Sequence, residues 1–131
     1  MSAFHRTLDT SKSVDETIQM LEGALKEKKF GILWQMDIPG ILQQKGVAYE
    51  GGAYRVLEVC NPHEASEALA TNLHAGYFLP CKIVVYESDG KTHVGITRPT
   101  VLMQHVADEK LQVLSERVEQ ALVDAVQKAL A

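Results

Sequence analysis

The sequence has few of the residues that cross-link or interrupt a fold. Its 131 residues include two cysteines, four prolines and one tryptophan. Two cysteines cannot build a disulfide scaffold, and a reducing compartment would keep both as thiols. No run approaches the roughly 20 apolar residues of a membrane-spanning helix, and residues 1–6 lack the apolar core of a signal peptide. We therefore expect a cytoplasmic protein with no membrane partner.

The sequence also lacks an excess of positive charge. Its 13 basic and 17 acidic residues give a net charge of −4, so we do not expect a nucleic-acid partner. Apolar residues make up 46% of the chain and charged residues 23%, which is typical of a folded globular protein. No repeat or long linker divides the chain, and we expect one domain over residues 1–131.

The short motifs that mark several enzyme classes are missing. We find no phosphate-binding loop, dinucleotide-binding glycine motif, nucleophile elbow, zinc-protease motif or paired CxxC. Their absence makes catalysis less expected without excluding it.

Hydrophobic periodicity predicts an α+β fold with the order β-α-β-(α)-β-α-β-β-α. Strands are expected over residues 4–9, 30–37, 53–60, 83–87 and 91–97. Ser13, Asn61 and Asp108 are suited to cap the three main helices, and Asp89-Gly90 indicates a hairpin. Short helical pieces are expected near residues 38–46 and 101–106.

The same periodicity predicts which side chains are buried. In the second strand, the period-two pattern places an apolar stripe on one side, and we interpret it as core rather than as a pocket lining. The stripe consists of Phe30, Ile32, Trp34 and Met36. In the helix that follows Asn61, the predicted buried face consists of Ala65, Ala68, Leu69 and Leu73.

Several segments together resemble the bacterial and archaeal family called DUF302. They are residues 30–33, Asp37, residues 56–62, Gly76 and residues 79–87, and they include Cys60-Asn61-Pro62 and Leu79-Pro80-Cys81. The resemblance spans nearly the whole chain. It implies a two-layer fold of helices on an antiparallel or mixed sheet, similar to a single TATA-binding-protein-like unit. It also implies a homodimer, and it implies no activity.

The chain departs from the family pattern at three positions. Gln35 stands where Glu is common, Glu58 where Gly is common, and Arg98 where Asp often precedes the proline.

The candidate ligand or thiol site consists of Cys60, Asn61, His63, Cys81 and Asp37. Cys60 ends a strand at a helix N-terminus, where exposed N–H groups can lower a thiol pKa. If the strands that carry Cys60 and Cys81 are neighbours, the two thiols can bind a soft metal or oxidise together. With His63 they would form a zinc-like site, although no recognised ligand spacing supports it. The alternative is two buried, inert thiols.

The other candidates have simpler interpretations. Asp37 can act as a base in a pocket, but capping the next short helix is the simpler role. We interpret the remaining histidines as surface residues; they are His5, His74, His93 and His105.

Three functional hypotheses follow. The first is a dimeric small-ligand-binding or interaction module without catalysis, whose ligand lies between layers or subunits. The alternative is a thiol- or metal-dependent redox or sulfur-handling protein that uses Cys60 and Cys81. The third is an interaction domain that docks a partner on its final helix or on a sheet edge.

Overall fold

The computed structural model describes residues 3–131, and its elements follow the order predicted from the sequence. The strands are β1 (His5–Thr10), β2 (Gly31–Asp37), β3 (Tyr54–Cys60), β4 (Cys81–Ser88) and β5 (Lys91–Thr97). The helices are α1 (Val14–Glu27), α2 (Ile38–Gln44), α3 (Pro62–Thr71), α4 (Pro99–Leu102) and α5 (Glu109–Leu130). Two 3₁₀ helices span Leu73–Phe78 and Met103–His105. The α+β fold class is therefore confirmed.

The predicted caps begin the main helices. The side-chain oxygen of Ser13 accepts from the Glu16 amide at 3.1 Å, and that of Asp108 accepts from the Leu111 amide at 3.1 Å. Asn61 caps α3 in the same way. Each cap satisfies a backbone N–H that has no partner within its helix, which fixes where the helix starts. No helix within residues 3–131 has the length and apolar content needed to span a membrane.

The strands form one sheet in the order β1-β5-β4-β3-β2, and every neighbouring pair is antiparallel. The predicted hairpin joins β4 to β5 through Asp89 and Gly90, which have φ values of 54° and 75°. Two successive positive φ angles favour Asp-Gly and match the twist of the flanking strands. The central strand of the sheet is β4.

The face of the sheet that packs against α1 and α5 is here called the inner face. Its side chains join those of the helices in the hydrophobic core. The fully buried aliphatic residues of this core are Leu21, Leu25, Leu57, Val59, Ile83, Val85, Val94, Leu111 and Leu122. The inner face therefore holds the chain's main stabilising contact between layers.

The opposite side of the sheet is here called the outer face. Cross-strand pairing arranges its side chains in three rows: Trp34, Glu58 and Lys82; then Met36, Val56, Val84, Gly95 and Thr7; then Tyr54, Tyr86, His93 and Asp9. Neither α1 nor α5 covers this face, since both pack on the other side. The short helix α2 packs against β2 and β3 and buries none of its own residues.

The predicted apolar stripe in the second strand is wrong for Trp34 and for Met36, which both lie on the outer face. Ile32 pairs with Val59 and Trp34 pairs with Glu58, so the register shifts between them and Leu33 is the extra residue of a bulge. A bulge changes which face the following side chains occupy. Trp34 therefore lies on the outer face, where 52% of it is exposed, and not in the core.

The predicted buried face of the third helix is also partly wrong. Ala68 is buried, but Leu69 is 40% exposed and Leu73 is 79% exposed. The reason is that α3 ends at Thr71, and Asn72 then caps a 3₁₀ helix that carries Leu73. The tighter helix has three residues per turn, so the predicted stripe does not continue along one face.

Candidate functional site

The two cysteines lie on neighbouring strands but in different surroundings. Cys81 pairs with Val59 and belongs to the core, with 8% of it exposed. Cys60 follows Val59 at the end of β3, and both cysteines border the same small cavity between the sheet and the helices. Cys60 is half-buried at the junction of β3 and α3. Both thiols are free.

Neither thiol is activated. Burial raises the pKa of Cys60, which is the opposite of the lowering expected at a helix N-terminus. The Asn61 side chain accepts from the amides of His63 and Glu64, at 3.1 and 3.3 Å, and so caps the helix beside Cys60. Burial, then the nearby Cys60 and Glu58, raise the pKa of Cys81 to about 12. Both thiols are therefore protonated near neutral pH, where nucleophilic chemistry needs a thiolate.

Two of the three predicted metal ligands lie close together. Cys60 and Cys81 border the same small cavity, and His63 is exposed on the first turn of α3. Within the described part of the chain, no group of three or more His, Cys, Asp or Glu side chains is placed to hold a metal ion. The zinc-like site of Cys60, Cys81 and His63 stays a prediction.

Asp37 has the simpler of its two predicted roles. Its carboxylate accepts from the Gly40 amide at 3.1 Å and caps α2. The residue is exposed, so no low-polarity pocket encloses its carboxylate.

A small cavity lies beside Cys81 between the inner face and the helices. Its volume is about 30 Å³, and its walls include Phe30, Phe78, Met103 and Val118. Pockets that bind small molecules have volumes of roughly 300–1,000 Å³. This cavity therefore has room only for a group about the size of a water molecule.

A larger groove lies on the outer face, on the side of β4 away from Trp34. Its volume is about 340 Å³. Residues that line it include Phe4, Thr7, Tyr54, Lys82, Val84, Tyr86 and Gly95. Gly95 contributes no side chain to the groove. No local sequence pattern reveals this site, because its lining comes from four strands that only their pairing brings together.

Aromatic rings form a row along one side of this groove. Tyr54 stacks on Tyr86 and Tyr86 stacks on His93, with ring centroids 5.1 Å apart in each pair. Nδ1 of His93 lies 2.8 Å from a carboxylate oxygen of Asp9, and Nε2 lies 3.2 Å from the Ser88 carbonyl oxygen. These contacts join the row to β1 and to the end of β4. Of the four histidines predicted to lie on the surface, His5, His74 and His105 are exposed and His93 is half-buried.

Comparison with known proteins places the chain in a family. The profile described as "Domain of unknown function DUF302" matches residues 6–129. The chain belongs to this family. A crystal structure described as an uncharacterized conserved protein DUF302 from Bacillus stearothermophilus is 41% identical to it, with a TM-score of 0.93. The match covers 98% of this chain and 99% of the other. No curated protein matches this DUF302 chain.

The three residues at which the resemblance led us to expect other residue types all make polar contacts. Gln35 accepts a hydrogen bond from Arg55 at 2.8 Å. Glu58 pairs with Lys82 at 2.9 Å on the outer face, and Arg98 pairs with Glu119 of α5 at 3.1 Å. Each substituted side chain is therefore accommodated by a partner within the same chain.

Proposed function

We propose that this DUF302 chain is a non-catalytic binding module that associates as a homodimer through its outer face. The observation that carries the proposal is the one-sided helix layer: α1 and α5 pack on the inner face alone. The outer face carries Trp34, Met36, Val84, Tyr54 and Tyr86, which are exposed or half-buried. Apolar and aromatic surface of this kind is typical of a protein interface.

The size of the outer face supports a dimer. Five strands about 4.8 Å apart, each about six residues long at roughly 3.3 Å per residue, give a face of at most about 500 Å². Val56 in its middle row is only 9% exposed, so part of this face is already covered within the chain. Two copies would therefore remove at most about 1,000 Å² from water, which is the smallest area expected of a specific interface. The charges at the centre of the face already form the Glu58–Lys82 pair, so neither faces the partner without a counter-ion.

The other hypotheses have less support. The thiol hypothesis needs a reactive thiolate, and the pKa values of Cys60 and Cys81 are both raised. The cavity beside Cys81 is too small for a metabolite. We place the module in the cytoplasm, because a reducing compartment suits two free thiols.

Molecular mass in solution tests the proposal. Sedimentation equilibrium of the wild type should show a dimer that dissociates on dilution. Val84→Asp places a carboxylate at the centre of the outer face, and burying it without a partner should cost about 3–5 kcal/mol. The Kd should therefore rise at least roughly 100-fold.

Val113→Asp is the matched control. Val113 is 63% exposed on α5, which lies on the other side of the sheet. This variant should remain dimeric, and circular dichroism should show that both variants are folded. A wild type that stays monomeric at every concentration, or a Val84→Asp variant that remains a dimer, would contradict the proposal.

A further inference from the structure

We propose that the two copies dock so that Trp34 of each is seated in the outer-face groove of the other. The inference rests on the proposed homodimer and adds the anchor residue, its receptor and the orientation of the two-fold axis. The observations that carry it are the positions of one exposed tryptophan and one groove on opposite sides of the same central strand.

Trp34 is the projecting part. It is the only tryptophan of the chain, and the bulge at Leu33 turns it outward on the edge strand β2. With 52% of it exposed, the indole ring lacks a packing partner within its own chain on one side. Tryptophan is among the residues that most often dominate binding energy when they enter a desolvated pocket.

The groove is the receiving part. Its floor is Gly95, where a β-carbon would come within 3.2 Å of both Oγ1 of Thr7 and Cγ2 of Val84. Phe4 and Tyr86 supply aromatic surface to its walls. The volume of about 340 Å³ is within the range of roughly 300–1,000 Å³ that holds ring-sized ligands. An indole ring therefore fits the size and the lining.

The sheet order places the two parts symmetrically about β4. Trp34 lies on β2, two strands from β4 on one side, and the groove extends over β5 and β1 on the other side. A two-fold axis parallel to β4, between two facing sheets, brings β2 of each copy opposite β1 of the other. Such an interface repeats the same contact twice, as two-fold symmetry requires.

The two parts also match along the strand direction. Trp34 pairs with Glu58, and Glu58 pairs with Lys82, which lines the groove. A two-fold axis parallel to the strands does not change the position of a residue along the strand direction. Trp34 of each copy therefore meets the groove of the other copy near Lys82. The two Lys82 residues approach each other at the axis, and each is paired with its own Glu58 at 2.9 Å.

The other face-to-face arrangement lacks this complementarity. An axis perpendicular to the strands would place β2 opposite β2 and β1 opposite β1. The two grooves would then face each other and enclose an unfilled space, and both Trp34 rings would meet at the sheet edge. Atoms that line an unfilled space in an interface lose packing contacts. The shape of the outer face therefore favours the two-fold axis parallel to the strands.

Thr7→Phe tests the inference by filling the groove. Thr7 is exposed on β1, and the whole width of the sheet separates it from Trp34 in the same chain. In the wild type, Trp34 fluorescence should shift to shorter wavelength and become protected from acrylamide as the protein concentration rises. Thr7→Phe should abolish both changes and raise the Kd roughly 30-fold or more, as loss of an interface anchor does. Thr71→Phe, on α3, is the matched control and should behave as the wild type.

Mixing two variants gives a sharper test. Trp34→Ala has no anchor but open grooves, whereas Thr7→Phe has anchors but filled grooves, so each homodimer should be weak. An equimolar mixture should form heterodimers, because the anchor of one variant enters the open groove of the other. Sedimentation of the mixture should therefore show more dimer than either variant alone.

The outcomes separate this inference from the proposed dimer. A wild-type dimer whose Trp34 emission is unaffected by Thr7→Phe, with no recovery in the mixture, would overturn the docking inference and leave the dimer standing. A wild type that is monomeric at every concentration would overturn both.

Discussion

The two faces of this sheet are built from the same strands and differ in what completes them. Ile83 and Val84 are neighbours in β4, but Ile83 is fully buried on the inner face and Val84 is half-buried on the outer face. The inner face is aliphatic and is covered by α1 and α5 of the same chain. The outer face carries aromatic rings, an ion pair and a groove. The comparison indicates that the fold is stabilised mainly on one face, and the proposed dimer would cover the other.

The largest difference between the faces should appear on truncating Ile83 and Val84. Ile83→Ala should lower the free energy of unfolding by about 2–5 kcal/mol, because the core around it cannot fully collapse into the space. Val84→Ala should cost about 1 kcal/mol or less at a concentration low enough for monomers, since Val84 is already partly hydrated. Urea unfolding followed by circular dichroism measures both values. Equal losses would show that the two faces are equally important to the fold.

The second difference concerns the thiols. Cys60 should react with an aromatic disulfide reagent in the folded protein, whereas Cys81 should react only after unfolding, because it is buried in the core. The pKa of Cys81 is raised to about 12, above its ordinary value of about 8.5. The protonated Cys81 thiol therefore makes its full contribution to the free energy of unfolding below about pH 8.5. This contribution is lost as the pH rises toward 12.

Single-cysteine variants measure these thiol effects. Cys60→Ser isolates Cys81 and should keep the alkaline loss of stability, whereas Cys81→Ala should reduce it. Rapid labelling of Cys81 in folded Cys60→Ser would contradict its placement on the inner face.

The smallest effect concerns the start of α5, which covers the inner face. The Leu111 amide and then the Asn72 side chain hold the pKa of Asp108 below its usual range. The ionised Asp108 carboxylate therefore stabilises the folded protein at pH values above its ordinary pKa of about 3.9. This stabilisation is lost as the pH falls through the lower pKa that Asp108 has in the folded protein. Asp108→Asn keeps a cap residue and removes the charge. Its small deficit in melting temperature at neutral pH should therefore vanish in acid.

Asp89→Asn controls for the loss of a surface carboxylate, because Asp89 lies in the β4–β5 turn, outside the helix layer. A deficit for Asp108→Asn that persists unchanged in acid would show that the carboxylate charge is not what strengthens the cap.

Local features of the fold were predictable from the sequence. Ser13, Asn61 and Asp108 begin their helices as predicted, because a cap acts on amides within three residues of it. Asp89-Gly90 forms the predicted hairpin for the same local reason. The bulge at Leu33 was not predictable, because it results from pairing with β3 and no Gly or Pro marks it.

The candidate sites were only partly predictable. The position of Cys60 before a helix was predicted correctly, but its pKa is raised by burial, which depends on the packing of α3 and not on local sequence. The row formed by Tyr54, Tyr86 and His93 depends on the register of three strands, which joins residues far apart in the chain. Periodicity gives the face of a side chain where no bulge interrupts the strand, and only pairing gives its neighbours.

The distance between two spin labels on the outer surface of α5 tests the face-to-face dimer most directly. Labels attached at Val113→Cys, with both native cysteines replaced, lie on the side of each chain away from the proposed interface. Two facing sheets about 10 Å apart, with a helix of about 10 Å diameter outside each, should separate the labels by about 30 Å or more. A pulsed dipolar measurement that gives this distance would support the outer-face dimer. A short distance, or no dipolar coupling between chains at any concentration, would contradict it.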